Sequence, residues 1–336
     1  MNTDLVVLGI ESTAHTFGVA IIKGKKILSN NSDSYISDDH GMIPYELAEH
    51  HKEVYFDLVK KSLEQANIKL DDIDLISFSR GPGMGHALKI GSLVSKSIAY
   101  QNGIPLIGVN HCIAHLNIGS FVYEDINDPI LLYVSGANTQ VIAYESNKYR
   151  VFGETLDLGL GNLLDTFARY IGFGFPGGPK IYEESLKSNN YIKLPYVVKG
   201  MDVSFGGILT NLKQKYDSGK YTKADLCYSL QETVYSMMLE VSERAMAHTQ
   251  KNELILGGGV ACNKRLQEMA EIMCKERNAK LYTLENKFNV DNAIMIAWEG
   301  LLEYLSKEKI DTKIKPYERT DDIEFENNLS QIAKKI

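Results

Sequence analysis

His111 and His115, four residues apart in the stretch HCIAH, are the side chains in this sequence best spaced for chemistry. On a helix, positions i and i+4 share a face, so both rings can reach one metal ion. The stretch follows the apolar run of residues 104–109, which reads as a buried strand. The pair would then sit just past the carboxyl end of a strand, where open α/β sheets keep their ligands. The spacing also fits a helix in which one histidine caps the first turn and the other is half buried, because H-x-x-x-H without the glutamate of H-E-x-x-H recurs by accident. His50 and His51 are adjacent in a long helix expected over 44–66, so they point in different directions and no second metal pair is expected there. Asp291, ahead of a helix expected over 293–305, is either that helix's N-cap or a carboxylate arriving from the other domain to complete the histidine pair. No Ser-His-Asp or Cys-His arrangement asks for a covalent nucleophile.

Glycine-rich corners form a second group. Residues 80–86 (RGPGMGH) turn from a short strand into a helix over 87–101, and bare backbone there can meet an anion or let helix and sheet approach closely. Residues 158–162 (LGLGN) open a helix that carries Asp165. The run GFGFPGGP over 172–179 is too rich in Gly and Pro for helix or strand and would let a ligand or another backbone come near. Three glycines at 257–259 open another helix, with Asn263 placed to bond a nucleotide or simply to cap it.

The elements that must position these residues show an internal duplication. Residues 5–9 and 17–22 are strands joined by the polar turn ESTAHT, which includes Glu11 and Ser12; a charged turn then leads to a third strand at 27–28. Residues 130–134, the turn Ser135, Gly136, Ala137, Asn138, Thr139, and strands at 140–144 and 149–152 repeat the unit. Two similar α/β domains are expected, their polar turns facing each other across a cleft and offering N–H and hydroxyl groups to an anion. The expected division is 1–127 for the first domain and 128–292 for the second. A helix near 293–310 would pack back on the first, and 311–336 would form a poorly packed charged tail or docking segment.

Length and composition agree with this. A chain of 336 residues, 44% hydrophobic and 24% charged, suits a two-domain globular protein. No run reaches the roughly 18 apolar residues of a membrane span, and the start lacks a basic leader, so a cytoplasmic protein without membrane contact is expected. The four cysteines form no C-x-x-C pair and are expected to be reduced. A net charge of −7 argues against gripping nucleic acid alone through a broad basic surface. If RNA is involved, other proteins share the holding.

Taken in order, GIESTAHTFGVAI, HCIAH, YVSGANTQ, GNLLDTFAR, FPGGPK, GGGVACNKRL and VDNAIMIA resemble the tRNA N6-adenosine threonylcarbamoyltransferase family, close to its archaeal and eukaryotic branch, the catalytic subunit of the KEOPS complex. The resemblance covers nearly the whole chain to about residue 305. It implies two duplicated ribonuclease-H-like domains of the actin-like, sugar-kinase-like (ASKHA) superfamily. It implies one metal per subunit, iron or zinc, held by His111, His115 and Asp291, with Tyr133 as a further ligand or substrate contact. Threonylcarbamoyl-AMP would lie along Tyr133, Val134, Ser135, Gly136 and Ala137, its adenosine near Asp165, Gly178 and Asn263, with ATP or AMP as analogues. The implied partners are tRNA and the small kinase/ATPase and small dimerising subunits of the complex. Where relatives carry a Glu after GGPK-x, this chain has Tyr182 with Glu183 beside it, which leaves one sugar contact open. Further candidate contacts are Glu11 and Ser12. The implied reaction is attack by N6 of the adenosine beside the anticodon on the carbamoyl carbonyl, with AMP leaving. An ATPase or small-molecule kinase of the same superfamily is the alternative. Metallopeptidase and non-catalytic nucleotide-binding scaffold are further readings, the former lacking the adjacent glutamate base.

Overall fold

A computed structural model describes residues 3–36, 43–306, 310–325 and 329–336. The chain divides into two compact units, one of residues 1–127, 146–149 and 291–336, the other of residues 128–145 and 150–290.

In the first unit, β1 (Val6–Glu11), β2 (Thr16–Lys23) and β3 (Lys26–Ser34) form an antiparallel meander, and β4 (Leu75–Gly81) and β5 (Leu106–Asn110) add to β1 in parallel, giving the order β3-β2-β1-β4-β5. β1 and β2 read as continuous apolar runs because nearly every residue is buried on both faces. The helices are α1 (Pro44–Ala66), α2 (Gly85–Asn102) and α3 (His111–Val122). Pro44 in the first turn of α1 costs no hydrogen bond, and Asn67 ends it in the left-handed region at φ 52°.

The second unit repeats the plan. β6 (Ile130–Val134), β7 (Thr139–Glu145) and β8 (Lys148–Glu154) are the meander. α4 (Leu160–Tyr170), α5 (Gly177–Ser185), the short β9 (Val198–Lys199) and β10 (Asp202–Val203), α6 (Gly206–Asp217) and α7 (Lys223–Thr249) follow. After them come β11 (Glu253–Gly257), α8 (Lys264–Glu276), β12 (Lys280–Tyr282) and α9 (Asn286–Asn289). The order β12-β11-β6-β7-β8, with β11 parallel to β6, is that of the first sheet. Its core is apolar, drawn from β6, α4 and α7. The run over 172–179 is not all loop: α5 begins at Gly177. Proline is tolerated in a first turn. Gly177 must lack a side chain, since a Cβ would meet the Asp165 Cα at 2.7 Å.

The chain then returns to the first unit through α10 (Ala293–Ser306) and α11 (Leu329–Ala333). α10 lies on β1 at backbone contact: a Cβ at Gly9 would strike the Ala297 nitrogen at 2.7 Å. The charged terminal segment, expected to be loosely packed, is tied in. Buried Arg80 donates through Nε to Glu318 at 3.0 and 3.2 Å, Lys315 N donates to Arg80 O at 2.7 Å, and Phe325 and Leu329 are buried. Composition misled because much of this charge is paired within the unit.

Candidate metal centre

α3 starts where it does because Asn110, at the end of β5, accepts hydrogen bonds from Cys112 N at 2.9 Å and Ile113 N at 3.1 Å. Neither histidine is therefore the cap, and both are buried, His111 at 3% exposure and His115 at 0%. Their rings meet edge to face with centroids 4.8 Å apart.

Asp291 completes the group. Its Oδ1 lies 3.3 Å from His111 Nε2 and 3.3 Å from His115 Nε2. One ligand atom from each of the three residues falls within 4.8 Å of the others. The cap of α10 is not Asp291 but Asn292, whose Oδ1 accepts from Met295 N at 3.0 Å. Asp291 is thus left to face the imidazoles. It was expected to arrive from the second domain; it groups instead with the first unit, because it opens the segment that α10 anchors on β1.

Glu11 holds the site from behind. It is fully buried, accepts from Thr13 N at 2.6 Å and from the Thr13 hydroxyl, and its Oε2 sits 3.1 Å from His111 Nδ1. A carboxylate at Nδ1 favours the tautomer with the proton there, leaving the Nε2 lone pair toward Asp291. Burial pushes the His115 pKa down, which keeps that ring neutral. Burial works to raise the Asp291 pKa, but positive charge and N–H donation from the facing imidazoles, His111 first, outweigh it and hold the carboxyl well below the usual carboxylate range when protons occupy the place a metal ion would take.

These donors suit a divalent ion. Ligand atoms about 2.0–2.1 Å from a tetrahedral ion lie about 3.3–3.4 Å from one another, close to the 3.3 Å separations found between Asp291 and each imidazole. Two neutral imidazoles and one carboxylate are a zinc- or iron-type set with a coordination position left open.

The remaining sequence candidates fall into two groups. Ser12 is buried, and its backbone N donates to Ser79 Oγ at 3.0 Å. Gly91 must be glycine to clear the Ser12 side chain. In the second unit, Tyr133 is buried on β6, and the turn after Val134 is closed by Ser135 N donating to Asn138 O at 2.8 Å. The carbonyls of Ser135 and Gly136 accept from Gly161 N and Asn162 N, both at 2.9 Å. The glycines at 159, 161 and 258 allow this contact: a Cβ on Gly161 would meet the Gly136 Cα at 2.7 Å. The turn, including Ala137, thus sits against the start of α4. Asp165 accepts from Gly177 N at 2.7 Å, which brings Asp165 and Gly178 together at the start of α5. Tyr182 is half-buried and Glu183 exposed on the same helix. Asn263 caps α8, accepting from Arg265 N at 2.9 Å and Leu266 N at 3.2 Å, while its amide donates to Gln231 at 2.8 Å. Sequence reasoning missed Asn110, Asn292 and Thr13. The first two were findable, since Asn just before a helix is a cap signal.

Known proteins place the chain. A profile of tRNA N6-adenosine threonylcarbamoyltransferases matches residues 26–298. The Thermococcus kodakarensis tRNA N6-adenosine threonylcarbamoyltransferase is 48% identical over 323 residues, covering 95% of this chain and 99% of that one. A Drosophila melanogaster protein named as a probable member is 46% identical over 311 residues, covering 87% and 89%. A Methanococcus vannielii protein, named a probable bifunctional tRNA threonylcarbamoyladenosine biosynthesis protein, is 45% identical over 345 residues, which are 99% of this chain and 62% of that protein. Among solved structures, full-length HypF in its phosphate- and nucleotide-bound form superposes with a TM-score of 0.65 at 11% identity, over 91% of this chain and 47% of that one. The Clostridium difficile activator of 2-hydroxyisocaproyl-CoA dehydratase gives 0.53 at 12% identity, over 91% and 99%. At such identities these two share the fold alone. From the sequence matches, the chain belongs to the tRNA N6-adenosine threonylcarbamoyltransferase family.

Proposed function

We propose that this chain makes N6-threonylcarbamoyladenosine beside the tRNA anticodon with the help of one divalent metal, iron or zinc, held by His111, His115 and Asp291. The observation that carries the reading is the meeting of these three buried or half-buried side chains, with Oδ1 of Asp291 3.3 Å from each imidazole. When bound, the metal supplies an open position that polarises the carbamoyl carbonyl or balances the donor's phosphate. Glu11 keeps a proton on Nδ1 of His111 and so keeps Nε2 available. Burial keeps His115 neutral and able to donate a lone pair.

The donor in this reading is threonylcarbamoyl-AMP, lying along Tyr133, Val134, Ser135, Gly136 and Ala137, with Tyr133 as a further ligand or donor contact. The adenosine would rest near Asp165, Gly178 and Asn263. The backbone turn after β6 and the glycine-lined start of α4 support this, because bare backbone lets a ligand approach closely. Attack by the adenosine N6 forms a C–N bond as the bond from the carbamoyl carbon to the phosphate oxygen breaks; AMP leaves with the electron pair, and N6 gives up one proton to solvent. Holding both reactants in line accounts for most of the rate. A kinase reading gives His111 and His115 no role.

The reading includes a kinase/ATPase partner and a small dimerising subunit, as in the KEOPS complex. Supporting it are the bifunctional name of a relative of which this chain covers 62%, and the net charge of −7, which favours shared holding of tRNA. A cytoplasmic setting belongs to the same reading; among the described residues no helix is long and apolar enough to cross a membrane. The test is metal analysis beside an assay for modified adenosine in unmodified tRNA, on wild type and Asp291→Ala. Wild type should hold about one metal per chain, and the variant should lose both metal and transfer. Full transfer by a metal-free variant would sink the proposal.

A further inference from the structure

The second unit carries a local cluster of lysines with little acid beside it. Between Gly206 and Lys223 stand four lysines, Lys213, Lys215, Lys220 and Lys223, and one acid, Asp217, in a chain whose net charge is −7. Several surface lysines elsewhere sit beside carboxylates, as Lys52 with Glu49, Lys187 with Glu184 and Lys275 with Glu271. None of these four has a carboxylate within 4.0 Å among the described residues. Three of them lie against aromatic rings instead. Lys213 Nζ is 4.9 Å from the centre of Tyr170, Lys215 Nζ is 5.1 Å from Tyr221, and Lys223 Nζ is 5.1 Å from Phe173 and 5.9 Å from Tyr216. The acid is occupied: Asp217 accepts from the Tyr170 hydroxyl at 2.7 Å.

The rings and cations form one surface. Tyr170 ends α4 and meets Tyr216 of α6 edge to face with centroids 6.0 Å apart. Lys223 ties the start of α7 to the end of α4 by donating to Ile171 O at 2.6 Å. Tyr170 is 41% exposed, and Phe175 in the loop that follows is 51% exposed. Uncompensated cations interleaved with accessible rings are the chemistry that single-stranded nucleic acid needs, with phosphates on the ammonium groups and bases stacked on the rings. An acidic protein surface would use the charge and leave the rings without a role.

We propose that this face, built from the end of α4, α6 and the start of α7, docks a single-stranded segment of the tRNA substrate. The proposal rests on the family's tRNA substrate and not on the metal. It also explains how an acidic chain contributes to RNA binding: the positive charge is local.

The test is fluorescence anisotropy of the full chain with a labelled unmodified tRNA transcript across a KCl series. Lys213→Glu with Lys215→Glu should weaken binding at least about tenfold and lower the log–log salt slope by about 1.4, at about 0.7 per lost single-strand phosphate contact. Lys213→Arg with Lys215→Arg should restore both. Tyr170→Ala should weaken binding by about 5- to 150-fold with an unchanged slope, because stacking is lost and no phosphate contact is. Unchanged affinity and slope in the double charge reversal would overturn the proposal. So would absence of tRNA binding by wild type at low salt, or a reversal that impairs only an acidic protein partner. His111→Ala with His115→Ala separates the two readings: it should lose metal and transfer yet bind tRNA like wild type. Failure of that expectation for metal leaves the RNA result standing.

Discussion

β1 and β6 occupy the same place in their sheets, each leading an antiparallel meander with a parallel strand on its other side, but the turns that leave them are built from different parts. After β1, side chains fold inward: Glu11 is fixed by Thr13 and reaches His111. After β6, the backbone does the work, and the carbonyls of Ser135 and Gly136 take amides from α4. The interiors differ in the same sense. The first unit buries Arg80, Glu318, Asn117, Tyr149 and Glu299, with Asn117 donating to Tyr149 at 3.0 Å and to Glu299 at 2.9 Å. Among the described residues the second unit buries one charged side chain, Lys251, and its other buried polar groups are neutral, as Gln231, which donates to the Ser185 hydroxyl at 2.5 Å. A site made of side chains needs a shell of buried polar partners to hold each rotamer and tautomer. A site made of backbone needs glycines and a rigid apolar base.

If this contrast is right, the largest effects follow loss of a ligand in the first unit. Asp291→Ala should lower metal affinity and transfer by more than the roughly 10–100-fold that removing a partner behind a ligand costs, read by metal content and by modified adenosine per tRNA. Glu11→Gln should cost about 10-fold in metal affinity, since Thr13 can still hold the amide while Nδ1 of His111 loses a charged acceptor. Competition with a chromophoric chelator measures it. Equal affinity in wild type and Glu11→Gln would remove Glu11 from the site. In the second unit the sensitive position is a glycine. Gly161→Ala puts a methyl 2.7 Å from the Gly136 Cα, and overpacking of this kind costs about 1–3 kcal/mol. Metal content should stay at the wild-type level while the KM for the threonylcarbamoyl donor rises. Loss of metal in this variant would contradict the separation of roles.

Much of this was legible in the sequence. The duplicated meander, the long helix at Pro44–Ala66, the histidine pair on a helix after a strand and the glycine corners were all readable, because periodicity and turn chemistry are local signals. What escaped depended on contacts distant in sequence. Nothing near Asp291 tells that Gly9 lets α10 rest on β1 and carry that carboxylate to α3. Nothing near residue 318 tells that Glu318 pairs with Arg80. Asn263 shows the converse: its neighbours sufficed to place it as a helix cap, while a ligand role depends on partners far along the chain. The GFGFPGGP run misled because composition alone does not say which glycine is the first of a helix; Asp165, twelve residues earlier, decides it through its bond to Gly177 N.

The finest test of the polar interior is the pH dependence of stability at Glu299. Burial pushes its carboxyl up to about 8 from an ordinary 4.5, with hydrogen bonds to Asn117 and the neighbouring carboxyl of Glu303, and the Arg80 charge, pulling the other way. In the unfolded chain the group ionises near its ordinary value, so across that window the folded protein holds a proton that unfolding releases. Stability from this group is therefore complete at low pH, falls as pH rises by at most about 1.4 kcal/mol per unit, and levels off above the folded value. Glu299→Gln keeps an oxygen for Asn117 and removes the ionisation. Urea midpoints of the variant should gain on wild type steadily between pH 5 and 8, about the interval between the two pKa values. Parallel curves would show that Glu299 ionises alike in both states. The buried polar shell behind α3 would then lack the low-polarity surroundings on which the contrast between the two units depends.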